Sequence, residues 1–326
     1  MSDSPEIPGP AAGGAPLRLA AWPTPLEPAP RLAVSLGLEP ADLWLKRDDL
    51  VGLGAGGNKI RKLQHTAAAA LAAGADTLVT TGAAQSNHAR ATAAVAARLG
   101  LDCLLVLAGR DPGPATGNLL LDRLFGATIA WAGEVELAAL DDYAEELAQA
   151  GRDAGRRPYR VPYGGSGPVG ARGYLDCAGE LLAQGPPPGH VVTAVGSGAT
   201  MAGLVAGLGA DHVLGVDTGA TPDPLERVAG MLRAMLGQVP AGLRLRRDQV
   251  GGGYGQLTEG AAAALAETAT TEGVVLDPIY TGRAMAGLRA AVAEGEVRPG
   301  ERVVFLHSGG LPGLLAHPDA PGLAGG

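Results

Sequence analysis

The chain has 326 residues, 46% of them hydrophobic, a formal net charge of −8 and two cysteines. That is apolar length enough for two domains or one large α/β unit and rules out disorder for the bulk of it. The acidic balance, with no Lys/Arg-rich run, argues against a nucleic-acid partner or a membrane surface and leaves a small molecule as the expected ligand.

In chain order, residues 1–16 are acidic and rich in Pro, Gly and Ala, with no cationic start before an apolar stretch. They read as a disordered cytoplasmic tail rather than a secretion signal. Short strand-like runs, many of them β-branched, follow at 43–47, 77–81, 103–107, 128–131, 159–162, 191–195, 213–216, 274–276 and 302–307. Between them lie amphipathic stretches such as 87–99, 135–150, 169–184 and 260–271. The alternation predicts an α/β fold of open, twisted, mostly parallel sheets flanked by helices. The alanine-rich run 66–75 is too short to span a bilayer and reads as a helix. Ser86 is an N-cap candidate with Gly100 past the last turn, and Thr281 precedes a helix that runs out at Gly295. Cys103 and Cys177 stand apart from any CxxC or Cys/His cluster, so no disulfide framework and no metal site is expected. No repeat or flexible linker stands out, so the domains, if there are two, must be interleaved.

Of the 25 basic residues only Lys46, Lys59 and Lys62 are lysine. A desolvated lysine can lose its proton and form an imine, which arginine effectively cannot. A lysine kept in such a background is a candidate for amine chemistry, although for Lys46 and Lys62 survival by chance is the plainer reading.

Four groups of residues could carry chemistry. Lys59, beside Asn58, follows the Gly56-Gly57 loop at a helix start, where the positive helix end and nearby Arg61 and Lys62 are expected to lower its pKa. Taken alone, this segment reads first as an exposed lysine. Ser86, Asn87 and His88 open a helix after a strand and could bind a carboxylate there; Ser86 as a plain cap and His88 as a solvated first-turn residue fit equally. Gly196, Ser197, Gly198, Ala199 and Thr200 form a small-residue turn suited to a phosphate at a helix end. That turn lacks the P-loop lysine and the full dinucleotide spacing, so nucleotide binding is the runner-up. Tyr254 and Tyr280 sit in glycine-bearing loops at strand-to-helix transitions, as does Ser308, on the edge where α/β sheets bind ligands. A packing role for Tyr254 is as good a local reading.

Together, LKRDDL, GGNKIRKL, GAAQSNHAR, DPIYTGRAMAGL and HSGG, in this order between Leu43 and Leu314, resemble the pyridoxal 5′-phosphate (PLP) enzymes of fold type II, the tryptophan synthase β-like group. Within it they resemble the D-cysteine desulfhydrase and 1-aminocyclopropane-1-carboxylate (ACC) deaminase branch. The resemblance implies a large PLP-binding domain from 17–60 plus 163–326, a small domain inserted at 61–162, and a cytoplasmic homodimer. It makes Lys59 both Schiff-base lysine and base, sets Asn58 and Asn87 at the cofactor with Asn87 on its 3′-oxygen, and wraps the phosphate with Gly196, Ser197, Gly198, Ala199 and Thr200. Ser86, Asn87 and His88 meet the substrate carboxylate, and Tyr254 and Tyr280 flank the substrate, with Ser86 and the tyrosines as acid–base candidates. Where the deaminases carry a glutamate and a leucine, this chain has Thr281 and Ser308, the desulfhydrase-like pattern. A carboxylate at the pyridine nitrogen makes a strong electron sink, useful for opening a cyclopropane; a hydroxyl makes a weaker one, which suffices when a thiolate leaves the adjacent carbon. The smaller Ser308 also leaves room for a β-substituent. The expected activity is elimination from a small amino acid, D-cysteine first, giving pyruvate, ammonia and hydrogen sulfide. ACC deamination, sulfo-elimination from L-cysteate and a non-catalytic PLP-binding protein are the alternatives.

Overall fold

The computed structural model describes residues 15–324, so the expected tail lies outside the described residues except for Ala15 and Pro16. The first third of the chain runs β1 (Leu26–Pro28), α1 (Pro30–Leu36), β2 (Leu43–Arg47), α2 (Lys59–Ala72), β3 (Thr77–Gly82), α3 (Asn87–Leu99) and β4 (Asp102–Leu107). It continues through α4 (Gly117–Leu124), β5 (Thr128–Trp131), α5 (Leu137–Asp153), β6 (Pro158–Arg160), α6 (Pro168–Ala183), β7 (His190–Val195) and α7 (Ala199–Leu208). The last part holds β8 (Val213–Asp217), α8 (Pro224–Leu236), β9 (Arg244–Arg246), α9 (Glu259–Glu272), α10 (Thr281–Ala293), β10 (Val303–His307) and α11 (Leu311–Leu315). No helix among the described residues is long and apolar enough to cross a membrane.

The strands make two sheets, one of six in the order β1-β2-β10-β7-β8-β9 and one of four in the order β5-β4-β3-β6. All pairings are parallel except β1 with β2. Helices cover both faces of such sheets, so central strands are apolar throughout rather than alternating; β8 and β10 are buried at every residue. In each sheet the chain leaves a central strand toward one side and returns on the other: β7 lies between β8 and β10, and β3 between β4 and β6. Loops at the carboxyl ends of strands flanking such a reversal diverge and leave a crevice. We propose that the two sheets mark two domains, 17–60 with 163–326 and 61–162, because all four strands of the smaller sheet fall within the inserted span.

Three local expectations need correction. The run 274–276 is not a strand: Val274 and Leu276 are buried and Val275 is exposed, so it carries a strand's alternation without a neighbour to pair with. The edge strands β1 and β9 were illegible, being three residues each, one ending in proline and the other flanked by arginines. Thr281 is the first helical residue of α10 rather than its cap. The cap is supplied by Asp277, whose carboxylate accepts from the N–H groups of Ile279, Tyr280 and Thr281 at 2.8–3.0 Å.

Helix α2 is pinned from below by buried ions. Arg61, two residues after Lys59, donates to Asp48 and to Glu180 at 2.8–2.9 Å, and Asp48 also accepts from Tyr174 at 2.6 Å and Thr24 at 2.9 Å. The ammonium of Lys46 spends its three protons on Thr24 O, Glu180 and Gln184 at 2.7–2.9 Å. Helix α6 lies against α2 so closely that a Cβ at Gly173 would collide with the Arg61 carbonyl.

Gly173→Ala should therefore destabilise the protein by about 1–3 kcal/mol, seen as a lower urea midpoint. Asp48→Ala should cost about 3–5 kcal/mol, since it strips the main partner from a buried guanidinium. Burial by itself raises the Asp48 carboxyl, but Arg61 and its hydrogen bonds hold it below the ordinary value. Its contribution is thus full at neutral pH and is lost as pH falls through that depressed value, so the gap between wild type and Asp48→Ala should shrink on acidification.

Candidate active site

The loops after β3, β6, β7 and β10 open onto one cleft, at the reversal points of both sheets. Its wall carries Asn58, Lys59, Ser86, Asn87, His88, Gly196, Ser197, Gly198, Thr200, Tyr254, Tyr280 and Ser308, twelve of the fourteen residues singled out from sequence. Ala199 is buried outside the wall, its N–H donating to Ser166 Oγ at 3.4 Å. Thr281 lies behind the wall, its hydroxyl donating to Asp277 at 2.7 Å and accepting from the Asp277 N–H.

Lys59 begins α2 and reaches the Gly164 carbonyl at 3.3 Å. Burial draws its pKa down to about 8, and the nearby Arg90 charge adds to this. Neither neighbour expected to lower it does so. Arg61 stands two positions on, off the Lys59 face, and is spent on Asp48 and Glu180; Lys62 shares the face, three positions on, but is itself pushed well below its ordinary value and acts as a hydrogen-bond partner that raises Lys59. Lys62 is buried on the cleft wall, 3.4 Å from Gly164 O and Ser166 Oγ, and Lys46 is buried in the ion network, so the arginine-rich chain hides all three of its lysines from bulk water or lines the cleft with them.

Ser86 is the N-cap of α3, its hydroxyl accepting from Ala89 N at 3.1 Å. The N–H groups of Asn87 and His88, in the first helical turn, therefore point outward without helical acceptors. His88 is buried rather than solvated. Thr80 gives its only proton to Val161 O, so the 2.9 Å contact between Thr80 Oγ1 and His88 Nε2 must be an imidazole N–H donating. Burial and the adjacent lysines hold His88 well below its ordinary pKa, so it is neutral, with a bare Nδ1. What it can offer a carboxylate is its backbone N–H.

Opposite, the turn after β7 leads into α7, whose N-cap Gly198 has φ 98°, a backbone that disfavours any side chain. Ser197 Oγ lies 2.6 Å from Ser166 Oγ, and Asn58 Nδ2 donates to Thr200 Oγ1 at 3.3 Å. Free amides, hydroxyls and a positive helix end make this an anion cradle. The Tyr254 and Tyr280 hydroxyls meet at 2.9 Å; although the Tyr254 side chain is partly exposed, desolvation raises both hydroxyls, so they stay protonated. Tyr163, Gly164 and Ser166 are wall or cradle residues that sequence reasoning missed; the glycine pair in Tyr163-Gly164-Gly165 was the available signal, with Gly164 at φ 65° against Ser197. An amine held near neutrality and an anion cradle in one cleft fit an aldehyde with a phosphate tail. Aldehyde capture by Lys59, trapped with borohydride, should rise with pH in step with the neutral amine and level off above about 8; Lys59→Arg should remove it.

Comparison with known proteins agrees with this chemistry. Residues 17–309 match the family described as pyridoxal-phosphate dependent enzyme. The chain is 39% identical over 312 residues to a Pyrococcus abyssi protein named putative 1-aminocyclopropane-1-carboxylate deaminase, covering 92% of each. It is 41% identical over 322 residues to a D-cysteine desulfhydrase of Klebsiella pneumoniae subsp. pneumoniae, covering 92% of this chain and 95% of the relative. The crystal structure of an ACC deaminase homologue superposes with a TM-score of 0.86 at 37% identity, over 94% of this chain and 96% of that one. A tomato threonine deaminase, at 18% identity and TM-score 0.65 over 94% and 84%, shares the fold. The chain therefore belongs to the pyridoxal-phosphate dependent enzymes of fold type II, and its cofactor is PLP.

Proposed function

We propose that this PLP-dependent lyase removes the β-thiol of D-cysteine, yielding pyruvate, ammonia and hydrogen sulfide. The observation that carries the reading is that no carboxylate is among the described residues of the cleft wall, whereas Ser308 is. Asp277, three residues before Tyr280, is buried and committed to capping α10. PLP, when bound, supplies an electron sink for the charge left on Cα. Without a carboxylate to keep the ring nitrogen protonated that sink is moderate, which favours a substrate whose leaving group is already good.

Lys59 would hold the cofactor at its aldehyde carbon, and its free amine would take the Cα proton; a pKa of about 8 leaves enough neutral amine for both tasks. The α7 end with Ser197 and Thr200 holds the phosphate. The Ser86 hydroxyl and the N–H groups of Asn87 and His88 hold the substrate carboxylate and so turn the Cα–H bond toward Lys59. Tyr254 and Tyr280 flank the β-carbon as protonated donors toward the departing sulfur, which leaves with the C–S electron pair. The resulting enamine is hydrolysed to pyruvate and ammonia. The choice of the D isomer rests on relatives at 40–41% identity that are named D-cysteine desulfhydrase. ACC deamination is the second reading, favoured by the Pyrococcus relatives.

Purified protein given D-cysteine should release sulfide and pyruvate in equal amounts, with L-cysteine, L-cysteate and ACC far slower. Lys59→Ala should lose both turnover and the borohydride-fixed cofactor. Faster pyruvate release from ACC than from D-cysteine would sink the proposal in favour of the deaminase; no pyruvate from any of them would make the chain a PLP carrier without turnover.

A further inference from the structure

The chain has three asparagines, Asn58, Asn87 and Asn118. The first two line the cleft; Asn118 is completely buried behind it, at the start of α4. An amide side chain can present either oxygen or nitrogen, and here the choice is forced. Arg90 can only donate, and its Nε lies 3.1 Å from Asn118 Oδ1. Asn118 must then turn its NH2 the other way, where it donates to the Gln85 carbonyl at 3.0 Å and to Asn87 Oδ1 at 2.9 Å. With the oxygen of Asn87 occupied, its NH2 is what remains for the cleft. Arg90 cannot swing away. It is buried, and its Nη1 donates to the Gly54 carbonyl and to the Gly56 carbonyl at 2.7 Å in the loop before Lys59.

We propose that Arg90 and Asn118 are positioning residues that lock Asn87 as a hydrogen-bond donor toward the phenolic oxygen of the bound cofactor. The inference rests on the functional reading above together with the family resemblance, which sets the Asn87 side chain at the cofactor's 3′-oxygen. A donor there favours the anionic form of that oxygen; an acceptor opposes it.

The lock makes a counter-intuitive demand. In Asn118→Asp the new carboxylate only accepts, so Asn87 must turn its NH2 to it and show its oxygen to the ring. In Asn118→Leu the lock is gone, but Asn87 is free to keep its donor outward. The near-isosteric change should therefore do the greater harm. Reconstituted with PLP and titrated through the cofactor's visible band, Asn118→Asp should raise the midpoint for protonating the phenolic oxygen by about one pH unit or more, and Asn118→Leu by much less. In an Asn87→Ala background Asn118→Asp should add nothing, which separates orientation from the field of the added charge. A midpoint unchanged in Asn118→Asp, or moved further by Leu than by Asp, overturns the proposal. If Asn118→Asp does not fold, 15N-asparagine labelling of the unaltered chain decides. Of the three side-chain amide signals, PLP should shift the one missing in Asn87→Ala; if it stays still, the lock has no target. Wild-type protein that fixes no PLP on borohydride treatment overturns the functional reading and this inference together, whereas loaded wild type with an indifferent Asn118→Asp overturns this inference alone.

Discussion

The Asp48 carboxylate, buried and holding Arg61, Tyr174 and Thr24 around it, is the contact on which the geometry of the cleft depends. A charge in that position is tolerated only while its partners stay in place, so the arrangement has little freedom to relax. Arg61 extends it to Glu180 on α6, and Glu180 extends it to Lys46 on β2. Three elements distant in sequence are thereby fixed to one another beneath the first turn of α2. On the other side of that turn Lys59 points into the cleft.

The cleft itself works by withholding charge. Lys59 and Lys62 both lie where water is scarce, so each is lowered by burial, and no carboxylate of the described wall restores the protonated form. His88 is neutral for the same reason. In the proposed reading, the positive potential for an anionic phosphate comes instead from backbone dipoles at the start of α7, which cannot be titrated away. A site built in this manner can hold a dianion and keep a reactive amine in the same few ångströms.

Much of this was legible in the sequence because parallel strands and their crossover helices are local patterns. The runs at 77–81 and 191–195 and the Ser86 cap reappear nearly residue for residue, since burial on both faces selects β-branched residues and a helix start selects a hydroxyl. The errors came where a local pattern had no exclusive cause. The alternation at 274–276 meant burial without a pairing partner, and the arginine beside Lys59 was read as its electrostatic neighbour although helix geometry turns it away. Tyr163, Gly164 and Ser166 joined the site unseen because their role comes from β6 lying beside β3, a pairing between strands some eighty residues apart.

The sequence by itself determined the class of fold, the scarcity of lysine that marks an amine, and the motifs whose order identifies a PLP enzyme; these are matters of residue type and spacing along one chain. Only the tertiary structure decided that Lys62 lines the cleft beside Lys59, that Arg90 rather than Arg61 bears on Lys59, which nitrogen of His88 carries the proton, and which way Asn87 turns. Protonation and hydrogen-bond direction are set by burial and by donors and acceptors brought from remote parts of the chain, and no stretch of sequence contains both partners.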